Sequence, residues 1–268
     1  MNLLRKIFTR SSSHPGKKEQ FYAGASDTGI IRKNNEDSFL INPDYELYIV
    51  ADGMGGHNAG EVASQQATRV LNDSFSPLTL KDLSGQQQDI KNKMITALCL
   101  ANKEIYATSL TDRRLRGMGC TVVYGLCHNN TMHICHVGDA RAYHWSAGRL
   151  SLLTTDHSYV MTLVKSGKMT MEEARTSVLK NELCQAVGTD RPVNPDYIAC
   201  SLEDGDIILF CSDGLWDMLS DREICDILGR DYSAAKLCAE LIARANKNGG
   251  KDNITVIAVI HAKSMSLT

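Results

Sequence analysis

Apolar and polar residues alternate along this chain with the periods of strands and helices from about residue 21 onward. Short apolar runs rich in β-branched residues predict buried strands at 45–51, 206–212 and 253–262. Helical spacing of apolar residues predicts helices over 58–71, 88–110, 220–228 and 233–247. A polar, breaker-rich segment at 72–87 is interpreted as a loop.

Two hairpins are predicted between the helices. The runs "CTVVYGL" and "TMHICHV" flank "HNN", and "RAYHW" and "RLSLLT" flank "SAG". Hairpins combined with separate helix pairs predict an α+β layered fold with antiparallel sheets rather than βαβ winding. No linker interrupts the pattern, so we expect one domain over 21–264.

The segment 1–20 differs from the rest because it is basic and Ser-rich. We predict that it is disordered. A short basic amphipathic anchor is the alternative that its "LLRKIF" run leaves open.

Composition narrows the class of protein. Of 268 residues, 43% are hydrophobic and 22% charged, which is enough to bury a sizeable core. The net charge of −2 argues against a nucleic-acid partner, and no apolar run is long enough for a transmembrane helix. Nine cysteines without any C-x-x-C pair are typical of free thiols in a reducing cytoplasm, where we expect the protein to act.

The stretch "IVADGMGGHNAGEVAS" at 49–64 places Asp52 at the end of an apolar strand and follows it with glycines. Asp-Gly suits a hairpin turn, and a glycine-rich loop can also cradle phosphate. A metal site is the third interpretation, since glycines allow backbone oxygens to come close to an ion. A P-loop is excluded because no G-x-x-x-x-G-K-[ST] motif occurs.

Six acids fall at the ends of predicted strands, and this regularity favours the metal site. Each acid alone is typical of a turn or a helix cap. Gathered at one rim of packed sheets, they would repel one another unless cations neutralised them. They are Glu36, Asp37, Asp52, Asp139, Asp213 and Asp252.

The donor atoms indicate which metal. All are oxygens, which favours Mg²⁺ or Mn²⁺ over zinc or copper. A shared carboxylate suits a two-metal centre, in which Asp52 can bridge both ions while the Gly53 carbonyl adds a ligand. Such a centre is suited to hydrolysis of phosphate esters, and Arg32 is placed to clamp a phosphate.

Seven segments occur in order along the chain: "DTGIIRKNNEDSF", "VADGMGGHNAGE", "GCTVV", "HVGDARAY", "LTTDHSYV", "CSDGLWDML" and "GGKDNITVIAV". They resemble the ordered motifs of the metal-dependent, 2C-type (PPM) protein serine/threonine phosphatases, in particular the bacterial branch. The resemblance covers about residues 21–262.

The resemblance implies a four-layer α-β-β-α sandwich of two antiparallel sheets flanked by helix pairs, with the metals at one end. It also implies a ligand set for two ions, with a possible third. The first ion would be held by Asp52, Asp213 and Asp252, and the second by Glu36, Asp52 and the Gly53 carbonyl. Asp37 would act through ordered water, and Asp139 with Asp213 would hold the third ion.

The implied reaction is hydrolysis of phosphoserine and phosphothreonine in proteins by direct attack of a metal-bridging hydroxide. Arg32 would bind the phosphate and His57 could protonate the leaving oxygen. We expect a monomer that opposes a Ser/Thr kinase in bacterial signalling. The alternative is a pseudo-phosphatase or a single-partner regulatory phosphoprotein-binding protein, and a metallo-nuclease is disfavoured because no basic face is evident.

One segment departs from the family pattern. After "LTTDHSYVMTLVKSGKMTMEEA", which resembles the bacterial flap, the family usually continues with a His-Pro and an Arg before Asn. Here the chain reads "RTSVLKNELCQAVG", so we expect the flap to move or to select substrates differently.

Overall fold

The computed structural model describes residues 8–12, 20–55, 59–75 and 87–261. Eleven strands lie within these ranges: β1 Phe8–Ser12, β2 Gln20–Asp27, β3 Ser38–Asn42, β4 Leu47–Met54, β5 Gly119–His128, β6 Thr131–Val137, β7 Arg141–Ser146, β8 Arg149–Leu152, β9 Asp196–Ser201, β10 Ile207–Cys211 and β11 Ile254–His261. Seven α-helices accompany them: α1 Ala59–Asp73, α2 Gln87–Ser109, α3 Tyr159–Lys165, α4 Met171–Thr176, α5 Asp213–Trp216, α6 Asp221–Leu228 and α7 Ala234–Lys247.

The strands form two antiparallel sheets. One sheet has the order β1-β2-β11-β10-β7-β8, and the other has the order β3-β4-β5-β6-β9. Both predicted hairpins are present, as β5–β6 and β7–β8. The first turns at Asn129 and Asn130, both of which adopt positive φ (50° and 56°), as a two-residue hairpin loop requires.

Strand β4 shows why the sheets stack into layers. Its successive side chains point to opposite faces, and both faces are buried. Leu47, Ile49 and Ala51 pack in a core with α1 and α2, whereas Tyr48 and Val50 pack in the core between the two sheets. Full burial of the Leu47, Ile49 and Val50 side chains contributes about 1.5–3 kcal/mol each.

A third core completes the sandwich on the other side. Helices α6 and α7 pack on the outer face of the six-stranded sheet, where Ile227 of α6 and Leu241 of α7 share one core with Val256 of β11. The layers are therefore α1/α2, the five-stranded sheet, the six-stranded sheet and α6/α7. This confirms the α+β four-layer fold.

Several local predictions need correction. Strand β4 continues past Asp52 to Met54, because Asp52 still pairs with Thr121 of β5. The loop expected from residue 72 begins later, since α1 extends to Asp73, and most of that loop lies outside the described residues. Strand β9 and the short helices α3 to α5 were not predicted.

The disorder expected over 1–20 also differs from the structure in part. Phe8–Ser12 form a strand that pairs with β2, whose first residue is Gln20. The remainder of that prediction lies outside the described residues.

Candidate active site and metal centre

Both sheets contribute acids to one end of the sandwich. Asp52 lies near the end of β4, Asp139 follows β6, Asp213 begins α5 after β10, and Asp252 precedes β11. Glu36 and Asp37 lie directly before β3. Because these termini meet at the same rim, the fold gathers all six predicted acids.

Electrostatic coupling shows that the acids form one cluster. Burial raises the pKa of Asp52 well above its usual value, and repulsion by Asp37, Asp213, Asp139 and Asp252 raises it further. Burial likewise raises the pKa of Asp213 to about 6, with repulsion from Asp252 adding to it. Such a set of carboxylates is destabilising unless positive charge compensates it.

The same pattern extends to the two ends of the cluster. Burial raises the pKa of Glu36, which Arg32 opposes and Asp252 reinforces. Burial also raises the pKa of Asp139 well above its usual value, with repulsion from Asp213 adding to it.

Two buried carboxylate oxygens have no hydrogen-bond partner among the described residues: Oδ1 of Asp37 and Oδ1 of Asp213. A buried acceptor of this kind is costly without a partner, and in native proteins a bound ion or water commonly supplies one. The donor set is made of oxygens, so these residues fit divalent cations such as Mg²⁺ and Mn²⁺.

Glycines give the segment around Glu36 its close packing. A Cβ on Gly53 would lie 2.2 Å from the Gly60 carbonyl oxygen and 2.4 Å from that of Glu36. A Cβ on Gly60 would lie 2.5 Å from Oε2 of Glu36. Only glycine therefore lets the end of β4 and the start of α1 approach the Glu36 carboxylate this closely.

Arg32 lies at the edge of the cluster. Its Nη2 atom donates to Oδ2 of Asp252 at 2.6 Å, and about half of its side chain (53%) is exposed. The structure thus brings the predicted phosphate clamp to the predicted metal ligands. His57 lies outside the described residues, so its predicted role stays a prediction.

Sequence reasoning missed two residues that position the acids. The Asn253 side chain accepts from the Glu36 amide (2.8 Å) and donates to the carbonyls of Thr28 and Asn34 (2.9 Å each). Ser212 donates to Oδ2 of Asp37 at 2.7 Å. Asn253 directly follows Asp252 in the chain, and Ser212 directly precedes Asp213. This adjacency to predicted ligands is the signal that the sequence offered.

A buried ion pair supports the rim from below. Arg141 donates to both carboxylate oxygens of Asp156 (2.9 and 2.7 Å) and lies 3.8 Å above the Trp216 ring. Trp216 also donates from Nε1 to the Asp139 carbonyl at 3.0 Å. The pair thereby holds the segments that carry Asp139 and Asp213.

The flap contains α3 and α4 and lies against the start of α6. Lys180, in the segment that departs from the family pattern, pairs with Asp217, and Arg175 pairs with Asp221 at 3.0 Å. A cavity of about 250 Å³ is lined by Arg141 and Trp216 together with flap residues that include Arg175 and Lys180.

An antiparallel sandwich with clustered carboxylates at one rim is suited to metal-assisted hydrolysis of phosphate esters. Comparison with known proteins identifies the family. The protein phosphatase 2C family profile matches residues 32–257. The chain belongs to this family of serine/threonine phosphatases, which are enzymes.

Named relatives agree with this assignment. The serine/threonine phosphatase stp of Listeria welshimeri is 36% identical, covering 87% of this chain and 93% of that one. A serine/threonine phosphatase structure from S. agalactiae aligns with a TM-score of 0.83 at 34% identity, covering 91% and 100% of the two chains. The PstP catalytic domain in complex with two manganese ions aligns with a TM-score of 0.78 at 35% identity, covering 91% and 99%.

Proposed function

We propose that this chain hydrolyses phosphoserine and phosphothreonine in proteins with the help of two Mn²⁺ or Mg²⁺ ions. The observation that carries the proposal is the convergence of six carboxylates at one rim, with two buried oxygens lacking any partner among the described residues. The family assignment and the two manganese ions of the PstP relative support the same conclusion.

We assign the ligands as the resemblance to the family implies. Asp52, Asp213 and Asp252 would hold one ion, and Glu36, Asp52 and the Gly53 carbonyl the other. Asp37 would contribute through ordered water, and Asp139 with Asp213 would hold a third ion. When bound, the ions supply charge neutralisation at the phosphoryl oxygens and a water of lowered pKa.

Arg32 would orient the substrate. Its guanidinium, now paired with Asp252, is exposed enough to turn toward a phosphate, which it can hold through two parallel hydrogen bonds. Asn253 and Ser212 would keep Glu36 and Asp37 in position while the substrate binds. His57 is proposed as the group that protonates the leaving oxygen.

The biological setting is also a proposal. A phosphatase of this class removes what a Ser/Thr kinase adds, so we propose phosphoproteins made by such a kinase as substrates, and a monomeric cytoplasmic enzyme. All nine cysteines are unpaired, as expected in a reducing compartment. Among the described residues, no helix combines the length and apolarity needed to cross a bilayer. Light scattering on the purified chain would check the monomer.

The test compares phosphothreonine-peptide hydrolysis by the wild type with Mn²⁺, by the wild type with EDTA, and by Asp52→Asn with Mn²⁺. We expect turnover in the first case alone. Asp44→Asn is the matched control, because Asp44 is exposed at the opposite end of the β3–β4 hairpin and should leave turnover unchanged. A folded wild type without turnover in either Mn²⁺ or Mg²⁺ would favour the phosphoprotein-binding alternative.

A further inference from the structure

Three metal-ligating side chains meet outside the acid cluster: His136 on β6, His157 before α3, and Asp196 at the start of β9. We call them the His-His-Asp cluster. One ligand atom from each lies within 4.8 Å of the others. Oδ2 of Asp196 is 3.4 Å from Nε2 of His157 and 3.9 Å from Nε2 of His136.

His136 is the unusual member of the His-His-Asp cluster. Its side chain is completely buried, and neither ring nitrogen has a hydrogen-bond partner among the described residues. Buried polar groups in native proteins are almost always satisfied by protein, water or an ion. Burial lowers the pKa of His136 to about 4, aided by His157, so the ring is neutral at physiological pH and has a lone pair available.

The geometry suits a tetrahedral ion. Two imidazoles bound through nitrogen to one zinc at about 2 Å place their ring centres about 5 Å apart. The rings of His136 and His157 are 4.8 Å apart. Ligand atoms of such an ion lie about 3.3 Å from one another, so the side chains need only small movements.

An ion can reach the cluster from solvent. His136 and Asp196 line a cavity of about 360 Å³, whose other walls include Lys91, Thr155 and Asn194. The Asp196 side chain is 45% exposed, so it lies at the mouth of this cavity.

We propose that the His-His-Asp cluster binds a transition-metal cation of the zinc class, separately from the ions of the acid cluster. Two imidazoles and one carboxylate match the preference of Zn²⁺, whereas Mg²⁺ and Mn²⁺ prefer oxygen donors. Three protein ligands leave the fourth position to water.

Binding requires a proton to move. The Gly138 amide donates to Nδ1 of His157 at 3.3 Å, so the neutral ring carries its proton on Nε2, which faces Asp196. When the cation takes Nε2, that proton moves to Nδ1 and the bond from Gly138 is lost. This bond is long for an N–H donor, so the loss itself is small. The protonated Nδ1 then faces the Gly138 N–H, and it needs the neighbouring Gln185 amide, whose Nε2 is 3.4 Å away, to turn its oxygen toward it.

The test uses Co²⁺ as a coloured substitute for Zn²⁺ on the full chain after EDTA treatment. A four-coordinate nitrogen and oxygen site gives strong visible absorption, whereas a six-coordinate oxygen site in the acid cluster absorbs weakly. We expect the strong bands in the wild type and in Asp52→Asn, and their loss in His136→Gln and Asp196→Asn. Zinc retained after desalting should fall by one equivalent per chain in the last two variants.

Asp190→Asn is the matched control, because Asp190 is exposed in the segment that leads into β9. This variant should keep the strong cobalt bands and the retained zinc of the wild type. Asp196→Asn keeps the shape of a half-exposed side chain, so it reports on binding even if His136→Gln fails to fold. Equal bands and zinc content in the wild type and Asp196→Asn would overturn the proposal. Loss of the strong bands in Asp52→Asn would also overturn it.

Discussion

Replacing Asp37 with Asn should stabilise the protein when metals are withheld. Ser212 donates to Oδ2 of Asp37, while Oδ1 is buried without a partner among the described residues. Burial raises the pKa of Asp37 to about 7, with repulsion from Asp213 adding to it against hydrogen bonds that lower it. The ionised carboxylate is therefore a cost to the folded state that divalent cations would offset.

The size of the effect follows from the two pKa values. An Asp that ionises near 3.8 when unfolded and near 7 when folded destabilises the ionised protein by about 4 kcal/mol. This group's contribution to stability is complete below pH 3.8 and is lost as pH rises to 7. Asn at this position keeps the bond from Ser212 but buries an amide where Oδ1 lies, at a cost of about 1–3 kcal/mol.

We therefore expect Asp37→Asn to raise the free energy of unfolding by about 1–3 kcal/mol at pH 8 in EDTA. At pH 5 the Asp37 carboxyl of the folded wild type is protonated, so its replacement removes a cost of only about 1.5 kcal/mol. The cost of burying the amide offsets this, so the variant should be almost no more stable than the wild type. Urea unfolding at both pH values measures this, with Asp44→Asn as the control. With Mn²⁺ at pH 8, the variant should gain less stability than the wild type. A variant less stable than the wild type at pH 8 in EDTA would refute the reasoning.

Three further predictions concern residues around the site. Arg141→Met should lower the free energy of unfolding by about 3–5 kcal/mol because it leaves Asp156 buried and unpaired. The double variant Arg141→Met with Asp156→Leu should lower the free energy of unfolding clearly less. Urea unfolding measures both, and additive losses would contradict this. Gly60→Ala should displace the Glu36 carboxylate, because the added Cβ would clash with Oε2 of Glu36. The Mn²⁺ concentration needed for half-maximal turnover should then rise about tenfold or more. An unchanged Mn²⁺ titration would show that the close contact is unimportant. Hydrogen bonds that the His144 ring donates to the Cys200 sulfur (3.5 Å) and to the Asp206 carboxylate (2.8 Å) raise the pKa of His144 to about 9. The stabilisation from these bonds is complete below pH 6.5, so the wild type should lose about 1–2 kcal/mol between pH 6.5 and 9 relative to His144→Gln. Urea unfolding at the two pH values measures this loss.

The amino-acid sequence by itself determined the elements that depend on local physics. The β5–β6 hairpin could be predicted because two asparagines tolerate the positive φ that its turn requires. Helix α1 could be predicted because its apolar residues recur with helical spacing, and those that are buried pack against β4. The acids could be chosen as candidate ligands because carboxylates beside glycine-rich turns at strand ends form a pattern that is visible without coordinates.

Tertiary structure alone decided what depends on contacts between distant segments. Asn253 positions Glu36 across 217 residues of chain, and its place next to Asp252 does not by itself show that it contacts Glu36. The convergence of His136, His157 and Asp196 is another case, since each lies on a different element. The pairing of β6 with β9 sets Asp196 opposite His136, and the chain fold brings the segment before α3 against them. Side-chain periodicity specifies which face of an element is buried, but the partner that meets this face is selected by the packing of the whole sandwich.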